Sequence, residues 1–141
     1  MRPREVVMLD MVRQWLAKAE EDFVVAERLV SEGEPYLSAV GFHAQQAAEK
    51  YLKAYLIRHQ IEFPKTHNLG KLLDLVATLD PLLAESLRSS TALTPYGAVI
   101  RYPGDFPEMT AESAKTAVAL AAQVQEAVRL ALEDYLAGSS P

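Results

Sequence analysis

Two short stretches of this 141-residue chain combine side chains able to hold an anion. The first is FHAQQAAEKYLKAYL, Phe42 to Leu56, which sets His43, Gln45, Gln46, Glu49, Lys50 and Lys53 into an otherwise apolar run. The second is Arg101-Tyr102-Pro103, with Tyr96 a little upstream. A guanidinium can grip a phosphate through two parallel hydrogen bonds, and a neighbouring aromatic ring can stack on a base. At about 100° of rotation per helical residue, His43, Gln46, Lys50 and Ala54 share one stripe, and Gln45, Glu49 and Lys53 form the adjacent row. Glu49 four residues ahead of Lys53 is the favourable order for a helical ion pair, a matter of a few tenths of a kcal/mol. Each stretch has two readings. The helix residues either solvate one face of a core helix or converge on the segment carrying Arg101. Arg101 either fixes its own loop through Asp105 or Glu108 or anchors a phosphate.

Other chemistries find little support. No glutamate is followed at the third position by histidine, and no His-Glu-x-x-His occurs, so neither a di-metal bundle site nor a zinc protease site is expected. His43, His59 and His67 stand apart in sequence. The chain has no cysteine, no Gly-x-Ser-x-Gly elbow and no glycine-rich phosphate loop. Any phosphate would therefore be held by side chains and helix N-termini, and neither a metal nor another cofactor is implied.

The net charge of −5 argues against a non-specific binder of long nucleic acids and against sequence-specific DNA binding. Its distribution is uneven. Residues 43–71 hold Lys50, Lys53, Arg58, Lys65 and Lys71 against only Glu49 and Glu62, and all three histidines fall there. This is either ordinary surface between acidic helices or an anion-facing patch suited to a nucleotide. Apolar runs fall short of the roughly 20 residues that span a bilayer, and the N-terminus does not read as a signal peptide, so a cytoplasmic protein without a membrane partner is expected.

Helices must position these groups. Val12, Trp15, Leu16, Ala19, Phe23, Ala26 and Val30 recur at helical spacing. Gly33 suits a C-terminal cap and Pro35 a first helical turn, which predicts a second helix over about 35–60. That helix is apolar on several sides and belongs at the centre of a bundle. Leu69 to Leu79 forms a shorter helix, and Asp80-Pro81 starts a fourth over roughly 81–92. Residues 94–109 read as a structured loop, Thr110 as the cap of a final helix, and residues 138–141 as a frayed tail. One all-α domain is expected over 1–141, with its core at about 12–135, as an up-and-down antiparallel bundle of four to five helices.

In this order, a long first helix, FHAQQAAEKYLKAYL, the KTHNL turn and RYP before the last helix resemble the HEPN family. The resemblance implies a four- to five-helix bundle, usually a homodimer with a composite cleft, often paired with a minimal nucleotidyltransferase in toxin–antitoxin modules. It also implies a ribonuclease motif in which an arginine is followed, after four to six residues, by histidine. From Arg101 those positions fall on Phe106, Pro107 and Glu108, and no histidine occurs after His67. The favoured reading is thus a nucleotide-binding or regulatory module. In it Arg101 anchors phosphate, Tyr102 stacks, and Lys50, Lys53 and His43 supply secondary charge and hydrogen bonds. The alternatives are a metal-independent ribonuclease using Arg101 with His67 or His43, and a purely structural, dimerising interaction protein.

Overall fold

Small side chains let three long helices of this chain approach closely. Ala19 and Ala26 of α1 (Pro3–Glu32), Ala44, Ala47, Ala48 and Ala54 of α2 (Leu37–Arg58), and Ala114, Ala117 and Ala121 of α5 (Ala111–Gly138) are all buried. Between α2 and α5 the chain forms α3 (Leu69–Ala77), α4 (Pro81–Ser86) and a 3₁₀ segment, Arg88–Gly97. This computed structural model describes residues 3–97 and 108–138, and among them no strand occurs. Arg101 and Tyr102 lie outside the described residues. The all-α up-and-down architecture is the one expected from the sequence.

α2 is the hub, packing against α1, α5, α3 and the 3₁₀ segment. Its pairings fix the topology. Asp22 meets His43 and Glu20 meets Tyr51, so α1 and α2 run antiparallel. Tyr51 meets Gln125 and Arg58 stacks on Tyr135, so α5 runs in the same direction as α2. The short elements between them carry the chain back. Leu52, Leu56, Leu69, Leu72, Leu73, Val76 and Leu93 fill the core along that return leg.

Caps explain most of the boundaries. Gly33 takes φ +73°, and its carbonyl accepts from the Tyr36 N–H at 2.9 Å. Asn68 Oδ1 accepts from the Lys71 N–H at 3.1 Å, and Asp80 Oδ1 from the Leu83 N–H at 3.1 Å, with Pro81 in the first turn. Thr110 Oγ1 accepts from the Ser113 N–H at 3.0 Å while Ser113 Oγ accepts from the Thr110 N–H at 2.8 Å, a reciprocal cap.

Three boundaries differ from expectation. α1 begins at Pro3, well before the apolar stripe. α2 begins at Leu37 with Tyr36 as its cap, so Pro35 precedes the helix instead of occupying its first turn. The fourth helix stops at Ser86 and continues as the 3₁₀ segment, which contains Pro95. There Ser90 and Thr91 hydroxyls donate back to the carbonyls of Leu87 and Arg88 at 2.6 and 2.8 Å, local bonds that compete with α-helical pairing.

Candidate functional site

The Gln45-Glu49-Lys53 row of α2 is buried, so the reading of these residues as a solvated face is corrected by the fold. Buried polar groups must bond to one another, and these do. Glu49 Oε2 accepts from Lys53 Nζ at 2.7 Å. Glu49 Oε1 lies 2.9 Å from Nδ1 of His67 and accepts from Gln45 Nε2 at 3.1 Å. Gln45 Nε2 also donates to the His67 carbonyl at 2.9 Å, and its Oε1 accepts from Gln46 Nε2 at 2.8 Å. The Lys53 ammonium sits 5.5 Å from the ring centres of both Trp15 and Phe63, which themselves meet edge to face. Burial alone would raise the Glu49 carboxyl. Hydrogen bonds from Lys53, His67 and Gln45, with the charge of Lys53, outweigh it and hold the group below its ordinary value.

A second unit of the same composition sits where α1 crosses α2. Asp22, buried, lies with Oδ1 2.7 Å from His43 Nδ1, and its Oδ2 accepts from Lys50 Nζ at 2.6 Å. His43 also packs edge-on against Phe42. Each unit is one carboxylate holding one imidazole through Nδ1 and one ammonium. An imidazole that gives Nδ1–H to a carboxylate turns Nε2 outward. His67 is the more accessible, with 60% of its side chain exposed against 29% for His43. His59 differs from both. Its ring tilts against Tyr55, and burial, then the charge of Arg58, lowers its pKa.

The described residues on either side of 98–107 lie against this part of α2. A Cβ placed on Gly97 would lie 2.6 Å from Cδ of Gln45, so only glycine lets the backbone approach the network this closely. A Cβ on Gly41 would meet Met109 at 3.0 Å and Tyr96 at 3.2 Å. Both flanks of residues 98–107 thus close on the turn between Gly41 and Gln45.

A further polar cluster ties α1, α2 and α5 together on the other side of α2. Tyr51 donates to Glu20 at 2.9 Å, Gln125 contacts both, and Arg129 donates to Glu20 at 2.7 Å. Burial pushes the Tyr51 phenol up to about 12, so it stays a neutral donor. This cluster joins helices, with the Arg129 guanidinium half-exposed at its edge. Among the described residues no group of histidine and carboxylates is arranged to hold a metal ion.

The profile of the HEPN domain matches residues 12–131. The chain belongs to the HEPN family. Two solved structures share the HEPN fold seen here. TT1696 from Thermus thermophilus is 29% identical, with a TM-score of 0.66 over 84% of this chain and 96% of that one. ST0689, described as an archaeal HEPN homologue, is 25% identical, with a TM-score of 0.68 over 86% of this chain and 97% of that one. No curated protein matches the chain.

Set in a HEPN bundle, the residues singled out from sequence divide. His43 and Lys50 share Asp22, as their common stripe suggested, and Lys53 lies on the adjacent row, paired with Glu49 and covered by two aromatic rings. Sequence reasoning did not single out Asp22, Gln45 as a contact of Gly97, or the Glu49–His67 pair as site features. Asp22 looks like one more acid on an acidic helix. His67 is 18 residues from Glu49, and only the return of the chain through the 61–68 coil joins them.

Proposed function

We propose that this HEPN chain is a nucleotide-binding or regulatory module. It acts as one cytoplasmic domain with its core at about 12–135, as a homodimer working with a minimal nucleotidyltransferase. Arg101 anchors the phosphate, Tyr102 stacks against the ligand, and His43, Lys50 and Lys53 supply the surrounding charge. The observation that carries this reading is the closure of both flanks of residues 98–107 on the turn of α2 that leads into the two carboxylate–histidine–lysine units. A phosphate near that turn would meet the partly exposed His43 and His67 imidazoles and Lys50 ammonium without a glycine-rich loop.

A thermal-shift series with ribonucleoside mono-, di- and triphosphates tests it. A ligand at 100 times its dissociation constant adds about 2.7 kcal/mol of stability. The expected result is a raised melting temperature in wild type and none in Arg101→Ala. No shift with any nucleotide up to millimolar concentration would leave the structural, dimerising role instead.

The Glu49–His67 pair favours one second reading, a metal-independent ribonuclease in which His67 takes the place of the histidine missing after Arg101. A carboxylate that holds one imidazole nitrogen turns the other toward a reacting group. RNA cleavage by purified protein, lost in both Arg101→Ala and His67→Ala, would establish it.

A further inference from the structure

The sealed Glu49–Lys53 pair is covered by a segment that is itself lightly held. α2 ends at Arg58, and residues 60–68 return the chain along it to Glu49 and Gln45 before α3 begins. None of these residues is buried, yet the carboxylate and ammonium beside them are almost fully enclosed. Phe63 covers Lys53 and meets Trp15 edge to face, with 6.3 Å between ring centres, while His67 closes the Glu49 side. Each ring of that aromatic pair also borders a surface hollow, about 470 Å³ beside Phe63 and about 400 Å³ beside Trp15. Neither ring is wedged in place from outside. Backbone support is equally sparse. The Gln60 N–H donates to the Ile57 carbonyl at 3.0 Å and the Ile61 N–H to the Leu56 carbonyl at 2.9 Å, the pair of bonds that turns a chain out of a helix. Beyond them, among the described residues, no backbone-to-backbone hydrogen bond involves residues 62–67. Such a turn needs a left-handed residue, and Gln60 takes φ +58° where glycine is usual. Strain at one end of a loosely bonded segment favours its release.

We infer that residues 60–68 form a strap that swings open about Gln60 while the bundle stays folded, and that its closing seals Lys53 against Glu49. Opening gives up the Phe63–Trp15 contact and the bonds of the His67 ring and carbonyl to Glu49 and Gln45. It returns Glu49 and Lys53 to water, which restores the hydration that burial had removed. It also lets Gln60 leave the left-handed region. The ties that hold the long helices together remain, because Asp22 to Lys50, Glu20 to Tyr51 and Tyr51 to Gln125 involve no strap residue. Local opening of this kind draws on segments with few buried contacts and few backbone bonds, which describes residues 60–68. Only in the open state can a reagent or a pairing group reach the Lys53 ammonium. The strap needs no bound ligand and is independent of the nucleotide-binding reading.

The test is acetylation of the full chain by dilute N-hydroxysuccinimide acetate at fixed pH, read at Lys53 by peptide mass spectrometry. It is run in a urea series below the unfolding transition. Lys53 should react more slowly than the exposed Lys115 on α5, at a rate nearly independent of urea, because opening the strap uncovers little surface. Labelling that rises with the full urea slope of global unfolding would overturn the inference, since Lys53 would then be reached only when the bundle is lost. Labelling as fast as that of Lys115 would overturn it too, since no strap would be closing. Two substitutions at Gln60 move the hinge without touching the cover over Lys53. Gln60→Gly should slow the reaction about tenfold, the weight of one left-handed residue, and Gln60→Val should speed it. Unchanged rates in both would overturn the hinge at Gln60. Trp15, the only tryptophan, supplies a second readout. Acetylated Lys53 cannot pair with Glu49, so the labelled protein should keep its helical circular dichroism while Trp15 becomes more accessible to acrylamide quenching. Unaltered quenching in the labelled protein would show that Phe63 stays in place and would overturn the strap.

Discussion

Two units of identical composition lie along α2, and they differ in what supports them. In the Asp22 unit the carboxylate comes from α1, and His43 and Lys50 lie one above the other on α2. It fastens two helices side by side and leaves both partners partly in water. In the Glu49 unit the carboxylate and ammonium share α2, and only the imidazole arrives from elsewhere. Its ion pair is sealed, with 4% and 8% of the two side chains exposed, and its histidine is the most accessible part. The first joins helices and the second orients a side chain. Burial decides the difference, because an enclosed pair loses its alternatives in solvent.

The largest expected effect is on the sealed unit. Glu49→Ala removes the acceptor of Lys53, Gln45 and His67 together and leaves a buried ammonium unpaired. It should cost about 3–5 kcal/mol in denaturant-induced unfolding. A loss below about 1 kcal/mol would show that water reaches Lys53 and would erase the contrast between the units. Asp22→Ala should cost less, about 1–3 kcal/mol, since His43 and Lys50 can turn to solvent.

Gly97→Ala probes where the 3₁₀ segment meets Gln45 of the Glu49 unit. Its Cβ would overlap a Gln45 amide held by three hydrogen bonds, so the 3₁₀ segment must move off α2. A loss of about 1–3 kcal/mol is expected, together with loss of any nucleotide-induced thermal shift. A stable variant that still responds to nucleotide would uncouple that segment from Gln45.

A smaller effect appears with pH. The folded-state pKa of Glu49 lies below its ordinary value of 4.5. Its contribution is therefore fully present above that value and fades as pH falls through the lower folded-state value. Wild type should lose stability relative to Glu49→Gln over that acidic interval, and a constant difference between them would contradict the lowered carboxyl. Least affected should be Leu82→Ser on α4, where 83% of the side chain is exposed; a change within about 0.5 kcal/mol is expected by the same unfolding measurement.

Much of the frame was legible in the chain. Gly33, Asp80-Pro81 and Thr110 mark helix ends through local hydrogen bonds, and the apolar stripes of α1 and α5 need only the helical period. The 3₁₀ segment was not legible, because its serine and threonine bonds and Pro95 compete with an α-helical pattern of similar length. Nor was the burial of Gln45, Glu49 and Lys53. By periodicity these residues form a polar row, and polar rows usually face water.

The sequence by itself thus determined the helices, their caps, the small residues that let them pack, and which side chains share a stripe on α2. These depend on neighbours within about four positions, and such neighbours fix one another through backbone geometry. Tertiary structure decided which polar row was sealed, that Asp22 would hold His43 and Lys50, that His67 would return to Glu49, and that Gly97 would lie on Gln45. Those contacts join residues 18 to 52 positions apart, and their formation depends on how the return leg packs against the hub helix.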